Sequence, residues 1–256
     1  MKICSIASGS KGNCSIIQTD GTCVLVDCGL PVREVEARLK SSGFLPERVE
    51  AIFLTHEHVD HVSGVVAFCS KYGTLLFLHK KVFYRFSYMF EKIKDKIRIF
   101  DFTDFYFQDL TVSPFELSHD SECCTGFSFY NIGKKVSFAT DTGYISAESL
   151  QKMEQSDIVF LESNHDSHML VVGPYPARLK KRIASEEGHL SNDLAAKYAC
   201  ELARKGTKIF VLSHLSETNN LPEKAFQTVS DALCTSGFSC KVIVAKQAGL
   251  PDIFEL

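Results

Sequence analysis

A histidine-rich stretch directly follows a strongly apolar run in this chain, and the pair limits the folds that the chain can adopt. The run extends from Val49 to Leu54 and predicts a buried strand. The next seven residues, Thr55 to His61, are Thr-His-Glu-His-Val-Asp-His. Apolar side chains at helical spacing follow over residues 62–72. The stretch is therefore predicted to be the turn between a buried strand and a helix.

The residue types in this turn indicate metal binding. His56 and His58 are two residues apart, so their side chains point the same way from an extended backbone. Asp60 and His61 follow on the tight turn. Imidazole and carboxylate groups are ligands for Zn, Mn or Fe, and two adjacent pairs are enough to begin two metal sites. The alternative, a polar surface turn that is rich in histidine by chance, is disfavoured by the density of the pattern after a buried strand.

Composition limits the class of protein. The 256 residues are 45% hydrophobic, which is enough to bury a sizeable core, and the net charge of −3 argues against binding to nucleic acid through bulk positive charge. No uncharged apolar run approaches about 18 residues, so no membrane contact is expected. The ten cysteines form no C-x-x-C motif and no apolar signal segment is present, so we expect reduced thiols and a cytoplasmic protein rather than a disulfide-rich secreted one.

Five polar residues each follow directly after a predicted buried strand: Asp27, His56, His119, Asp141 and His214. Strand ends on a rigid scaffold are the usual place for binding residues, and such ends can gather along one edge of a sheet. We therefore expect His119 to supply a third imidazole, His214 a fourth position and Asp141 a carboxylate between two ions. A lone histidine of this kind is more often structural, and the neighbouring cluster reverses that preference.

The rest of the chain alternates strands and helices in two halves, which favours two facing mixed sheets with helices outside. Strands are predicted over residues 2–7, 14–18, 22–27, 74–78, 127–132, 136–139, 157–161, 208–212 and 241–245, with three short strand-like pieces within 97–117. Helices are predicted over residues 31–42, 62–72, 80–90, 146–155, 175–185, 191–205 and 221–236. A hairpin is predicted about Gly133 and Lys134.

This arrangement resembles the metallo-β-lactamase superfamily over the whole chain. The resemblance implies an α/β (α+β) fold: an αββα four-layer sandwich of two mixed β-sheets flanked by helices, as a single domain over 1–256 with no inserted cap domain. It also implies two divalent metal ions, Zn or Mn before Fe. One would bind to His56, His58, His119 and Asp141, and the other to Asp60, His61, Asp141 and His214. Asp141 would bridge the ions, and Asp27 would support the turn from behind the ligands.

Several further stretches look like the YycJ/WalJ branch of this superfamily. They are Ser-Gly-Ser-Lys-Gly-Asn over 8–13, Glu-Ser-Asn-His-Asp over 162–166, Gly-Pro-Tyr-Pro over 173–176, Gly-His-Leu-Ser-Asn over 188–192 and His-Leu-Ser-Glu-Thr-Asn-Asn over 214–220. This resemblance implies a phosphodiesterase that acts on DNA ends, with 5′-to-3′ exonuclease activity. The fold hosts many hydrolases, so the implication stays an expectation.

The expected chemistry uses the two metal ions to activate a water, whose hydroxide attacks a phosphorus atom or a carbonyl carbon. Asp60 is predicted to bind metal and orient the nucleophile, and His189 to hold a phosphate oxygen. Ser191 and Asn192 begin the next helix, where they either bind phosphate or only cap the helix. The resemblance also places Asn164 and His165 near the substrate.

The partner is predicted to be a nucleic-acid end, DNA more than RNA, because 256 residues leave no room for the inserted domain or long arm of RNA-processing relatives. Arg178, Lys181 and Arg182 share one face of a predicted helix that could follow a nucleic-acid backbone, although most such runs are simply solvated. Two alternatives stay open. One is a small-molecule metallo-hydrolase of thioesterase or lactamase type, and the other a non-hydrolytic metal-binding regulatory member. The oligomeric state is not predicted.

Overall fold

The structure is a computed structural model that describes residues 1–247 and 252–256. In that part of the chain the strands are β1 (Lys2–Ala7), β2 (Cys14–Gln18), β3 (Cys23–Val26), β4 (Ala51–Phe53), β5 (Leu75–His79), β6 (Ile97–Phe100), β7 (Phe105–Phe107), β8 (Leu110–Leu117), β9 (Cys124–Asn131), β10 (Lys134–Ala139), β11 (Ile158–Glu162), β12 (Ile209–Ser213), β13 (Lys241–Val244) and β14 (Ile253–Glu255). The helices are α1 (Val32–Ser41), α2 (Val59–Val62), α3 (Val65–Tyr72), α4 (Lys80–Phe86), α5 (Ala147–Met153), α6 (Ser167–Val172), α7 (Ala177–Ile183), α8 (Asn192–Arg204) and α9 (Pro222–Thr235), with 3₁₀ helices at Pro46–Arg48 and Ser87–Lys96.

The described chain divides into two compact units. The first unit contains Met1–Pro114, Ser121–Thr125 and the described residues of Lys246–Leu256. The second unit contains Phe115–Asp120 and Gly126–Ala245. The histidine-rich turn therefore belongs to the first unit.

The first sheet has the strand order β14-β1-β2-β3-β4-β5-β6. From β14 to β3 neighbouring strands pair antiparallel, and from β3 to β6 they pair parallel. Every residue of β3 and β4 is buried, as expected for the central parallel strands of a covered sheet. Because β3 and β4 run parallel, Asp27 and Thr55, which follow soon after them, lie at the same edge of the sheet.

The second sheet has the order β13-β12-β11-β10-β9-β8-β7. Strands β10 to β13 pair parallel, and β10 pairs antiparallel with β9. All five residues of β11 are buried, including Glu162 at its carboxyl end. The parallel strands place Asp141, Glu162 and His214 at neighbouring strand ends, where ligands bind in open α/β sheets.

Helices cover the sheets through their apolar faces. In the first unit, α1 and α3 contact each other, and the core residues Leu39 and Phe68 on these helices are completely buried with Ile52 of β4. In the second unit, α8 packs against α9 and β11, and α9 packs against β13. The predicted fold class of two mixed β-sheets flanked by helices is thus confirmed.

Some predicted elements differ in detail. The helix predicted over 62–72 is divided into α2 and α3, because the Gly64 N–H donates to Cys28 O (2.8 Å) and a Cβ on Gly64 would lie 2.2 Å from Leu30 O. The helix predicted over 80–90 is α-helical only as far as Phe86. Helix α6 and strand β14 were not predicted.

The predicted hairpin between β9 and β10 forms, but one residue earlier than expected. Asn131 pairs with Lys134, so the two loop residues are Ile132 and Gly133, both with positive φ (46° and 72°). A two-residue loop with two left-handed residues matches the twist of the flanking strands.

None of the ten cysteines, all of which the structure describes, is in a disulfide bond, and seven are buried. A buried thiol acts as a small apolar side chain. No helix among the described residues has the length and apolar composition that crossing a membrane requires.

Candidate metal centre

In the first unit, the carboxylate of Asp27 holds the histidine-rich turn. Asp27 follows β3 with a φ of 61°. Its Oδ1 accepts a hydrogen bond from the Thr55 N–H (2.8 Å), and its Oδ2 accepts one from Thr55 Oγ1 (2.9 Å) and lies 2.7 Å from His61 Nδ1. Burial raises the pKa of Asp27, although the nearby His61 and Thr55 oppose the rise. Asn13 Nδ2 lies 2.9 Å from His61 Nε2 and can only donate, so Nε2 keeps its lone pair and the proton of the neutral His61 imidazole is on Nδ1, facing Asp27.

The imidazoles of this turn lie close together, as the two-residue spacing predicts. The ring centroids of His56 and His58 are 4.6 Å apart, and those of His56 and His61 are 4.2 Å apart. His56 is completely buried and His58 half-buried. The Nδ1 of His56 lies 3.0 Å from Thr55 Oγ1 and 3.9 Å from Cys124 Sγ. Three of the predicted ligands thus form one cluster within this unit.

Asn13 contacts the two groups predicted to bind the second ion. Its Oδ1 accepts from the Gly9 N–H (2.9 Å), which fixes the amide orientation and turns Nδ2 towards the turn. There Nδ2 lies 2.9 Å from His61 Nε2 and 3.3 Å from Asp60 Oδ2. Residues 8–13 belong to a stretch that carries the family resemblance, but this role of Asn13 was not predicted from the sequence.

Backbone packing fixes Asp60 as tightly as its side-chain contacts do. The N–H of Asn13 donates to Asp60 O (2.7 Å), and the N–H of Gly29 donates to Asn13 O (2.8 Å). A Cβ on Gly29 would lie 1.7 Å from Asp60 O, so a side chain at this position would force the turn to move. Glycine after β3 is therefore a requirement of the turn's position.

In the second unit, Asp141, Glu162, His189 and His214 each offer a ligand atom, and these atoms all lie within 4.8 Å of one another. Asp141 follows β10, Glu162 ends β11 and His214 follows β12. Asp141 Oδ1 lies 3.3 Å from His214 Nδ1 and 3.9 Å from His189 Nδ1. The parallel order of the three strands brings together residues that are far apart in the sequence.

Three strand-end residues share a left-handed backbone. The φ angles of Asp27, Asp141 and His214 are 61°, 61° and 57°. A non-glycine residue in this region costs on the order of 1 kcal/mol, and such residues cluster at functional sites. In each unit, the strain occurs where a parallel strand ends and the chain turns a polar side chain inward.

Glu162 organises the second unit's cluster, and the sequence analysis missed it as a site residue. Its side chain is completely buried. Its Oε1 lies 2.8 Å from Nδ1 of both His189 and His214, and its Oε2 accepts from the N–H groups of Thr142 (2.8 Å) and Leu190 (3.2 Å). The signal available in the sequence was a carboxylate at the end of a continuous apolar strand, which burial makes costly without partners.

The electrostatics of this cluster follow from those contacts. Burial by itself raises the pKa of Glu162, but the charge of His189 and the hydrogen bonds from His189 and His214 outweigh burial and hold it below its ordinary value. Burial lowers the pKa of His189, and the charge and hydrogen bond of Glu162 more than reverse this effect. An ionised Glu162 therefore fixes the proton of both imidazoles on Nδ1.

His119 lies in the same unit, beside the turn that precedes His189. Its Nδ1 is 3.1 Å from Gly188 O, and its Nε2 is 3.4 Å from Asp120 Oδ1 and 3.9 Å from Asp141 Oδ1. Burial lowers the pKa of His119, which Asp141 partly opposes. The sequence-predicted ligands His119, Asp141 and His214 thus lie near one another at the strand ends of the second unit.

The predicted substrate contacts lie in a buried polar network of the second unit. Asn164 Nδ2 donates to His214 O (3.0 Å), and Ser191 is the N-cap of α8, with its Oγ accepting from the Leu194 N–H (3.2 Å). The side-chain amide of Asn192 accepts from Ser163 Oγ and donates to Asn220 Oδ1. Its backbone N–H donates to His165 O. Asn164, His165, Ser191 and Asn192 are all buried, and the side-chain bonds of Asn164 and Ser191 hold the loop that carries His214 and the start of α8.

The donor atoms suit divalent metal ions. Four predicted histidine ligands each have Nδ1 beside a hydrogen-bond acceptor: Thr55 Oγ1 for His56, Asp27 for His61, Gly188 O for His119 and Glu162 for His214. A proton on Nδ1 leaves the lone pair on Nε2, and such partners commonly orient metal-binding imidazoles. Imidazole nitrogen with carboxylate oxygen is a ligand set for Zn, Mn or Fe.

Comparison with known proteins agrees with this picture of the fold. Residues 22–215 match a family described as a beta-lactamase superfamily domain. The exodeoxyribonuclease YycJ of Bacillus anthracis is 35% identical over 235 residues, which cover 91% of this chain and 89% of the relative. The exodeoxyribonuclease WalJ of Streptococcus pneumoniae is 34% identical over 232 residues (89% and 86%). The crystal structure of the Bacillus subtilis metallo-beta-lactamase fold protein YhfI superposes with a TM-score of 0.76 at 17% identity, covering 99% of this chain and 98% of YhfI.

Proposed function

This chain belongs to the beta-lactamase superfamily and is a metallo-hydrolase, and from that premise we propose that its substrate is DNA, which it degrades from 5′ ends. The observation that supports DNA is the similarity to two proteins named exodeoxyribonucleases, which spans about nine-tenths of this chain. The metallo-β-lactamase fold alone does not choose a substrate, because it serves many hydrolases.

We propose that two divalent metal ions, Zn or Mn before Fe, bind to the residues predicted from the sequence. These are His56, His58, Asp60, His61, His119, Asp141 and His214. Support comes from the family and, within each unit, from the Nδ1 partners that leave Nε2 as the donor atom. When bound, the ions lower the pKa of a water molecule and stabilise negative charge on the phosphate.

The protein's own side chains have separate roles in this proposal. Asp27 and Glu162 orient imidazoles, and Asp60 orients the attacking water. As the water oxygen forms its bond to phosphorus, the bond from phosphorus to the 3′ oxygen of the first nucleotide breaks. That oxygen needs a proton. Glu162, 2.8 Å from Nδ1 of His189, raises the pKa of this imidazole, and in its doubly protonated form His189 would donate the proton from Nε2 and keep the one on Nδ1. The His189 side chain is 20% exposed, so a substrate can reach it.

We further propose that the chain works as a single domain over 1–256 without an inserted cap domain, in the cytoplasm, on DNA rather than RNA. Asn164, His165, Ser191 and Asn192 hold the loops on which the substrate phosphate would lie. The buried side-chain hydrogen bonds of Asn164 and Asn192 support a positioning role, because bonded polar groups in a buried network resist movement.

Degradation of end-labelled duplexes tests the proposal. The metal-loaded protein is incubated with DNA labelled at the 5′ or the 3′ end, in Mn and in Zn. We expect a 5′ label to leave first as a mononucleotide, while a 3′ label stays on shortening fragments. His58→Ala removes one proposed ligand and should abolish degradation, whereas His168→Ala, which removes an exposed imidazole of α6, should not.

Two results would contradict the proposal. Absence of degradation of DNA and RNA in either metal would exclude a nuclease. Turnover of a thioester or a lactam by the same preparation, lost in His58→Ala, would then assign a small-molecule hydrolase instead. Release of the 3′ label first would keep the nuclease and reverse its polarity.

A further inference from the structure

A positively charged face on α7 has no structural explanation within the described chain. Arg178, Lys181 and Arg182 are exposed and, at helical spacing, lie on one face. No residue of α7 is buried, so the helix contributes no apolar face to a core. We name these three residues the α7 basic face.

The like charges of the α7 basic face destabilise helix α7 in the free protein. Like charges three and four residues apart destabilise a helix, and a helix of seven residues has little stability of its own. Arg182 bonds to Asp120, whereas within the described residues Arg178 and Lys181 have no ion-pair partner. An arrangement that is unfavourable in isolation becomes favourable when a polyanion covers it.

The helix is fixed in position despite its exposure. At its start, the N–H groups of Leu179 and Lys180 donate to Pro176 O, and Lys180 Nζ donates to Val171 O (2.6 Å). At its end, a Cβ on Gly188 would lie 2.2 Å from Ile183 O, so the following turn folds tightly against the helix. The charges are therefore presented on a rigid support.

The end of α7 leads directly to two site histidines in the same unit. The N–H of His189 donates to Ile183 O (2.9 Å), and His119 Nδ1 lies 3.1 Å from Gly188 O. Asp120, which bonds to Arg182, follows His119 in the sequence, and its backbone N–H donates to Glu187 O (3.0 Å). A polyanion that lies along α7 towards the carboxyl end of the helix therefore reaches His189.

We propose that the α7 basic face binds the phosphate backbone of the nucleic acid whose end is hydrolysed. This inference rests on the proposed function, because it extends the substrate beyond the bond that is broken. Arg178 and Lys181 are separated by three residues, about 4.5 Å along the helix, which is comparable to one nucleotide step of about 3.4 Å along a strand, so their long side chains can reach neighbouring phosphates. The whole chain has a net charge of −3, so a local face rather than bulk charge must attract the backbone.

The acidic residues nearby define the limits of this face. Asp120 compensates Arg182, and Glu186 and Glu187 follow the helix on the exposed turn. Arg178 and Lys181 are accordingly the charges that remain for phosphate. They are also the better residues to change, because a change at Arg182 would release Asp120 beside His119.

Salt dependence of DNA binding tests the inference. The double variant Arg178→Gln with Lys181→Gln is compared with the wild type, both full-length and metal-loaded, on a duplex whose terminal linkages are phosphorothioates that slow hydrolysis. Each phosphate contact on duplex DNA contributes about 0.9 to the slope of log affinity against log salt. We expect the slope to fall by about 1.8, so the loss of affinity between 50 and 200 mM salt becomes about 12-fold smaller than for the wild type.

A matched control removes the same charge from another part of the second unit. Lys208→Gln with Lys241→Gln changes two exposed lysines at the amino-terminal ends of β12 and β13, and its slope should equal that of the wild type. Thermal unfolding of each variant shows that it is folded, and the α7 variant should melt no lower than the wild type.

The outcomes separate this inference from the proposed function. If the α7 variant keeps the wild-type slope, or if the slope of the control falls equally, the α7 basic face does not bind the phosphate backbone. Degradation of unmodified DNA by the wild type would still support the nuclease. A wild type that neither binds nor degrades DNA or RNA overturns both. A reduced slope in the α7 variant alone supports the inference.

Discussion

Replacing Glu162 by glutamine tests whether one buried carboxylate organises the second unit's cluster. Its two oxygens accept four hydrogen bonds, two from imidazole Nδ1 atoms and two from backbone N–H groups. Glutamine has nearly the same shape but only one acceptor oxygen. Its NH₂ group must face either the two imidazole donors or the two backbone donors, so one pair loses its acceptor.

The magnitude follows from that count. A buried donor left without an acceptor costs about 1–3 kcal/mol, so two of them cost about 2–6 kcal/mol. Removing one partner of a buried charged group costs about 3–5 kcal/mol, which lies within this range. We expect Glu162→Gln to lower the free energy of unfolding by about 3–5 kcal/mol. For a protein of about this size, each kcal/mol shifts Tm by roughly 2–4 °C, so Tm should fall by about 6–20 °C.

The assay is thermal and urea unfolding of the metal-free protein, monitored by circular dichroism. Without metal, the measurement isolates the hydrogen-bonding role of Glu162 from ligand binding. Glu148→Gln, an exposed carboxylate in the first turn of α5, is the matched control and should change stability by less than about 0.5 kcal/mol. If the Tm of Glu162→Gln lies within about 2 °C of the wild type, a difference of about one kcal/mol at most, Glu162 does not organise the cluster.

Other predictions concern metal, backbone packing and thiols. Chelation should lower Tm, and added Zn or Mn should restore it. At a hundredfold excess over Kd, bound metal should raise the free energy of unfolding by about 2.7 kcal/mol, which calorimetry can measure, and an unchanged Tm would argue against bound metal. Gly29→Ala should reduce both stability and the number of metal ions bound per chain, because its Cβ would lie 1.7 Å from Asp60 O, and elemental analysis with full occupancy would contradict this. Burial raises the pKa of Cys4, Cys23 and Cys69 to about 12 from an ordinary 9.0, so mass spectrometry should show these thiols unalkylated by iodoacetamide at pH 8.5 until the protein is unfolded. These thiols ionise at a lower pH in the unfolded chain than in the folded protein, so the free energy of unfolding should decrease between about pH 9 and 12. A urea midpoint that stays constant over this pH range would contradict the decrease.

Features that depend on near neighbours could be predicted from the amino-acid sequence alone. The turn from Thr55 to His61 was recognisable because its donors lie within a few residues of one another and follow an apolar strand. The strand-end positions of Asp27, Asp141 and His214 were visible for the same reason, since each closes a local apolar run. Hydrophobic periodicity located most strands and helices, because side-chain alternation and helical spacing are local properties.

Which distant groups contact one another depends on strand order and packing, and could not be predicted from the sequence. Glu162 contacts His189 and His214 because β10, β11 and β12 are adjacent and parallel, an order that no local pattern specifies. Asn13 reaches His61 across 48 positions in the chain for the same kind of reason. Hydrogen bonds and close backbone contacts depend on strand order and register to within a fraction of an ångström, whereas a sequence pattern reports only which face of an element is apolar.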